Sequence, residues 1–479
     1  MNLKEKYQYL SVQAKATIWF TMCSFIQKGI SFITVPIFTR LMSTEQYGIY
    51  TVYLSWLQIL TILTSLYLFN GVYDNAMVKF EEHRDEYTSS MQGLTFVITS
   101  IIFVLFCCTS SVWENIIGLP KILIILMFIE ALVTPALSYW SGRLRFEYRY
   151  KLLVVVTLLQ ALLNPIISLI LISVIEKTAL VRIIGIVFVQ LLICCPIIII
   201  QFVKGKKFYC KTYWNYALKI GIPILPHYLS GMVLNQGDRI MIDKMVGKTE
   251  VALYGLAYSI GMLVQLFVTG LNSAITPWMY KKIKNHDIGS MRKVLHVLVL
   301  CVAGIAIMLM LVSPELVLVF GSSKYQTAVY VIPPVAASVF FIFLYGILSL
   351  PQFYYEKTQF LMVASIIAAG VNVILNLIFI KLFGYVAAGY TTLVCYIVYS
   401  LGHYIVSLNV LRANGETEQL LNGKLTILIS CVLVLVSIIC NFIFPYRVIR
   451  YAILLFLTLI VLIKRNYLIN IIVGLRKGN

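Results

Sequence analysis

The chain has 479 residues, of which 60% are hydrophobic and only 12% charged, with a mean hydropathy of +0.91. A water-soluble fold has no interior large enough for that much apolar surface, so these values exclude an ordinary soluble domain. The formal net charge of +19 raises the question of a nucleic-acid partner, which the placement of the charges answers below.

Long apolar runs predict membrane-spanning helices, in chain order, at 18–38, 47–69, 92–113, 122–140, 152–175, 179–203, 217–236, 251–278, 294–312, 330–350, 360–383, 387–411, 425–444 and 451–462. Hydrocarbon offers no water to backbone N–H and C=O groups, so runs of this length must satisfy themselves as helices. The expected fold is an all-α polytopic membrane protein of about fourteen transmembrane helices. The last run is the shortest, and 468–475 is placed in the interface beyond it. The first run is too long for a cleaved signal peptide and carries Lys28, so it reads as a retained span.

Sorting the 38 lysines and arginines by alternate loops concentrates them on one side, chiefly at 143–151, 204–219 and 281–293. This positive-inside pattern puts both termini in the cytoplasm and accounts for the basic charge with no nucleic-acid partner. The ten cysteines show no CxxC spacing and read as small apolar residues, so neither a metal site nor a structural disulfide is expected.

Compared with itself at an offset of about 207 residues, the chain matches in two places. Arg40, Thr44, Glu45, Tyr47, Gly48 and Tyr50 align with Lys244, Thr249, Glu250, Tyr254, Gly255 and Tyr258; Asn164 and Ser168 align with Asn372 and Asn376. Two six-helix lobes in parallel repeat follow, at 1–210 and 211–412, with two additional spans and a cytoplasmic tail at 413–479. Such lobes leave a cleft between them near the bilayer midplane.

Polar residues recur at helical spacing within the spans, where facing lipid would be costly. The first span carries Thr17, Thr21, Ser24, Lys28 and Ser31 on one face; the second carries Thr51, Ser55 and Gln58. The seventh carries His227, Gly231, Asn235 and Asp238 after Pro223 and Pro226, and the eighth carries Tyr258, Gln265, Thr269 and Asn272. Ser24, Lys28, Ser31, Gln58, His227, Asn235, Gln265 and Asn272 are therefore the candidate substrate-binding residues of the cleft. Lys28 lies well inside its span, where a charge must pair or meet water. Glu130 in the fourth span is its expected ion-pair partner or else a coupling site. Arg40, Asp238 and Arg239 sit towards the outer ends of the first and seventh spans and are the candidate outer gate. Helix-to-helix glue remains the plainer reading of any single Ser, Thr or Asn.

Gly247-Lys248-Thr249 lacks the upstream glycine of a phosphate loop, which is Ile242 here. No nucleotide-hydrolysis motif follows and no enzyme activity is expected, so energy would come from a proton or sodium gradient, the membrane potential or the substrate's own concentration difference; no bound cofactor is expected.

The stretch from Lys28 to Phe32 (KGISF), then Pro36 to Tyr50 (PIFTRLMSTEQYGIY), and around the seventh span Ile222 to Ser230 (IPILPHYLS) with Asp238-Arg239, resembles the Wzx-like oligosaccharide and polysaccharide-unit flippases of the multidrug/oligosaccharidyl-lipid/polysaccharide exporter superfamily. The resemblance implies a V-shaped pair of lobes working by alternating access in a bacterial cytoplasmic membrane. Its implied cargo is a polyprenyl-diphosphate-linked oligosaccharide for capsule, O-antigen, teichoic acid or a similar envelope polymer. The implied partners are membrane lipids and the glycosyltransferases and polymerase of the same pathway. Lys28 is then the cation best placed for the diphosphate, with Arg40 and Arg239 nearer the outer mouth. A multidrug or cation antiporter of the same superfamily is the first alternative, though it should have an acid-dominated cleft. A membrane polymerase or glycosyltransferase is the second, and the longest outer segment, 313–329, offers it only Glu315 and Lys324.

Overall fold

The computed structural model describes residues 11–357 and 359–466, and the chain divides into two compact units, Met1–Met232 and Val233–Asn479. The interfacial segment expected at 468–475 lies outside the described residues. Thirteen helical segments are long and apolar enough to cross a membrane. Many of their leucines, isoleucines and valines stay exposed, as befits surfaces solvated by lipid tails.

The first unit contains α1 (Val12–Leu41), α2 (Thr44–Ser65), α3 (Val72–Lys79), α4 (Arg84–Cys108), α5 (Ser110–Ile117), α6 (Lys121–Phe146), α7 (Tyr150–Val174) and α8 (Ala179–Gly205). It also takes the first part of α9 (Lys211–Met245). Ser11 and Ser43 cap α1 and α2, accepting from Ala14 N and Gln46 N. One core gathers Tyr73, Met77, Tyr87, Met91, Tyr139, Tyr213 and Ala217. A second joins Ala136 of α6 to Val189, Ile193 and Ile197 of α8. Gly185 lets α7 and α8 approach closely, since a Cβ there would stand 2.9 Å from Ser168 Cα.

The second unit takes the rest of α9, then α10 (Lys248–Gly261), α11 (Leu263–Lys284), α12 (Ile288–Leu311), α13 (Ser313–Gly321), α14 (Ile332–Tyr354), α15 (Gln359–Phe383), α16 (Val386–Ala413), α17 (Gly423–Ile443) and α18 (Arg447–Ile463). The helix α14 is its axle, buried along most of its length and packed against α10, α11, α12, α16 and α17. Leu234 of α9 packs with Ala368, Ala369 and Cys395 of α15 and α16.

Three expectations change in detail, and the compact units meet inside α9, whose Tyr213 and Ala217 join the first unit's core. The eighth span is two helices, α10 and α11, interrupted at Met262. The run 92–113 ends as a helix at Cys108, and Trp113 belongs to the short α5. The last run lies in α18, whose 17 residues leave it just short of the thirteen spanning segments.

Candidate functional site

In the first unit the polar stripe of α1 is uncovered by the unit's own core. Thr17, Thr21, Ser24, Lys28 and Ser31 are all exposed, and so is Gln58 on α2. Three of the hydroxyls need no solvent, because they donate to their own helix: Thr17 Oγ1 to Gln13 O at 3.0 Å, Thr21 Oγ1 to Thr17 O at 2.8 Å and Ser31 Oγ to Gln27 O at 3.0 Å. Lys28 is different. Its ammonium has no such refuge and forms no ion pair among the described residues, so this face must be wet or must meet an anion. Arg40 is also exposed and donates to Pro36 O at 3.0 Å. His227 is half-buried beside Tyr228.

The expected Lys28–Glu130 pair does not form. Glu130 is only 5% exposed and accepts from Tyr53 Oη at 2.9 Å, with Gln190 also in hydrogen-bonding reach. It lines a cavity of about 410 Å³ within the first unit, whose wall includes Ser31, Gln27, Gln160, Asn164, Arg182 and Gln190 and does not include Lys28. Lys28 and Ser31, three residues apart on α1, both belong to the exposed stripe, but only Ser31 borders this cavity.

Arg182 is the residue that reading the sequence passed over. It lies one turn inside α8, close enough to the end of the apolar run to look interfacial, yet it is 6% exposed. Its guanidinium carbon stands 3.8 Å from the centre of the Phe38 ring and 3.5 Å from that of Tyr50, with Tyr47 at 5.4 Å. A charge one turn within an otherwise apolar run was the available clue.

In the second unit the structure gathers the residues of the internal repeat. Asp238 is fully buried. Its carboxylate accepts from Asn376 Nδ2 at 2.6 Å, from Thr392 Oγ1 at 2.7 Å and from the hydroxyl of Tyr254. Asn376 Nδ2 also reaches Asn372 Oδ1 at 3.2 Å, and Thr391 donates to Asn376 Oδ1. Burial without these donors would cost several kcal/mol, roughly, for an ionised carboxylate. Arg239 is buried as well, 4.4 Å over the Tyr258 ring, and donates to Asn235 O at 2.6 Å and Gln236 Oε1 at 3.1 Å. Both of these gate candidates are thus buried side chains. Asn235 is exposed, whereas Gln265 and Asn272 are partly covered.

The two units therefore use the same parts. In each, a buried arginine lies over the aligned tyrosines, Tyr47 and Tyr50 in one and Tyr254 and Tyr258 in the other. In each, a buried carboxylate accepts from a tyrosine of the helix that follows the first or seventh span.

Comparison with known proteins agrees with this architecture. Residues 223–378 match the MatE family. An uncharacterized membrane protein of Haemophilus influenzae is 30% identical over 206 residues, 40% of this chain and 48% of that protein, so the chain spans about half the length of that relative. Among solved structures, the lipid II flippase MurJ in an inward closed conformation superposes with a TM-score of 0.71 at 16% identity, covering 94% of this chain and 100% of that one. An inward-facing multidrug resistance MATE transporter gives 0.63 at 14% identity, covering 84% and 99%. At such identities these two likenesses speak to the fold. Residues 14–283, more than half of the chain, match the family described as polysaccharide biosynthesis protein. The chain is thus an integral membrane protein that belongs to the polysaccharide biosynthesis protein family, among the transporters of the multidrug/oligosaccharidyl-lipid/polysaccharide exporter superfamily.

Proposed function

We propose that this protein is a flippase that carries polyprenyl-diphosphate-linked oligosaccharide units from the cytoplasmic to the outer leaflet of a bacterial cytoplasmic membrane, for an envelope polysaccharide. The observation that carries this reading is the uncovered stripe of α1 with Lys28 in it, which forms no ion pair among the described residues. A diphosphate head group would meet that ammonium, its sugars would meet the surrounding hydroxyls and Gln58, and its prenyl tail would stay in lipid. Directionality in alternating access comes from differential affinity of the two states for cargo and coupling ion. The Asp238 cluster suits the coupling role: a buried carboxylate held by the neutral donors Tyr254, Asn376 and Thr392 is a group that a proton or a hard monovalent cation such as Na⁺ would neutralise. The loop charges support cytoplasmic termini, and glycosyltransferases and a polymerase of one pathway are the expected partners.

The test is translocation of a labelled lipid-linked oligosaccharide in proteoliposomes. Lys28→Ala should lower the rate about tenfold or more, the loss expected for one charge-assisted contact to a phosphate, and Lys28→Arg should restore much of it. Full activity of the alanine variant would remove Lys28 from the mechanism. The match of residues 223–378 to the MatE family favours a second reading, export of organic cations. Wild-type protein that exports such cations and leaves every lipid-linked cargo in place would establish that reading instead.

A further inference from the structure

The cavity inside the first unit is unlike the stripe of α1, and its chemistry is specific. Its volume is about 410 Å³, and it brings together one cation, one anion and several amides. Arg182 is held rigidly by Phe38 and Tyr50, whose ring faces fix the plane of the guanidinium without neutralising it. No carboxylate pairs with it among the described residues, and its Nε has no hydrogen-bond partner. Glu130, on the same cavity, keeps acceptor capacity beyond the Tyr53 hydroxyl. Asn164 Oδ1 is buried and unpartnered, while Gln160 Nε2 donates to Gln190 Oε1 at 2.7 Å and so orients both amides on the wall.

A buried cation without a counter-ion is costly, and so is a buried amide oxygen without a donor. One ligand relieves both. We infer that this cavity is a subsite for a single acidic sugar residue, a hexuronate or similar carboxylated monosaccharide, whose carboxylate meets Arg182 while its hydroxyls donate to Glu130 and Asn164. The inference rests on the flippase reading and deepens it by naming a class of cargo. A neutral sugar would leave the guanidinium unpaired. The diphosphate of a lipid-linked head group, esterified at both ends, would satisfy Arg182 but would set its charge against Glu130, to which it has no proton to donate at neutral pH. A carboxylated sugar is a monoanion with several hydroxyl donors, which matches one cation, one carboxylate and a ring of amides. Ser31 lines the cavity and also belongs to the exposed stripe, so a head group lying along α1 has a route by which one sugar enters.

The full-length protein in lipid nanodiscs, titrated calorimetrically with D-glucuronate, D-glucose, D-glucosamine and inorganic diphosphate, tests this. Glucuronate should bind at least about tenfold more tightly than glucose or glucosamine, the discrimination expected of a charge-assisted pair. Arg182→Gln should abolish that preference. Asn164→Ala, which leaves the arginine and its ring contacts in place, should weaken glucuronate binding several-fold and serves if the arginine variant does not fold. Equal binding of glucose and glucuronate, or no binding of either, overturns the inference. Diphosphate bound more tightly than glucuronate through Arg182 overturns it too and assigns the cavity to phosphate. Translocation of a lipid-linked neutral oligosaccharide as fast as its uronate-containing counterpart would sink the subsite while leaving the flippase reading intact. Failure to move any lipid-linked cargo would sink the flippase reading itself.

Discussion

At the scale of single residues the buried carboxylates decide most. Asp238 has three neutral donors aimed at it from Tyr254, Asn376 and Thr392, a constellation that holds an anion in place. Replacing Asp238 by Asn preserves shape and removes the charge. The expected result is a protein that still folds and binds cargo but whose translocation no longer responds to an imposed sodium or pH gradient, measured in proteoliposomes with and without the gradient. An undiminished response would place coupling elsewhere. Asp238 and Asn376 were both visible in the sequence, one in a polar stripe and the other in the repeat. Their meeting was not, because a separation of 138 positions gives no register for which face of α15 turns towards α9. Arg182 was missed for a related reason: depth in a membrane is not readable within one turn of a helix end, whereas its place between Phe38 and Tyr50 leaves no doubt of burial.

At the scale of elements, α18 shows how a short and marginal helix is anchored. Arg450 is 1% exposed and reaches Leu311 O at 2.7 Å and both oxygens of Glu315 at 2.7 and 2.8 Å, while Tyr451 Oη donates to Glu315 Oε1 at 2.8 Å. A bidentate clamp of this kind fixes α18 against α12 and α13. Arg450→Met alone strands Glu315 and the Leu311 carbonyl. It should destabilise the protein towards the lower end of the roughly 3–5 kcal/mol typical of a broken buried pair, since Glu315 is partly exposed. Pairing it with Glu315→Met should recover much of the loss. Thermal unfolding in detergent, followed by size-exclusion chromatography, reads both; equal melting of wild type and single variant would show the clamp to be unimportant. Sequence reading assigned Glu315 and Arg450 to solvated segments outside the spans because neither lies in an apolar run. Only packing reveals that Glu315 is what lets Arg450 be buried.

At the scale of the whole molecule, the chain passes from one compact unit to the next within α9, a few residues beyond Pro223 and Pro226. Each proline removes a backbone hydrogen bond from a helix that would otherwise be continuous and stiff. Pro223→Ala with Pro226→Ala should restore those bonds, raise the melting temperature and slow cargo turnover while leaving cargo binding unchanged; unaltered turnover in the stiffened variant would remove α9 from the transport cycle. The sequence by itself determined that this is a helical membrane protein, where nearly every span runs, and that Lys28 lies among them, because hydrocarbon imposes one solution on a long apolar run. It also displayed the repeat, since aligned tyrosines and asparagines survive as letters. Only the tertiary structure decided which polar groups meet: that Glu130 joins Tyr53 and an arginine-lined cavity instead of Lys28, and that Asp238 is an interior carboxylate. A helix pattern fixes a residue's angle about its own axis, but partners across helices depend on the rotation and depth of two axes at once, and those are set by packing.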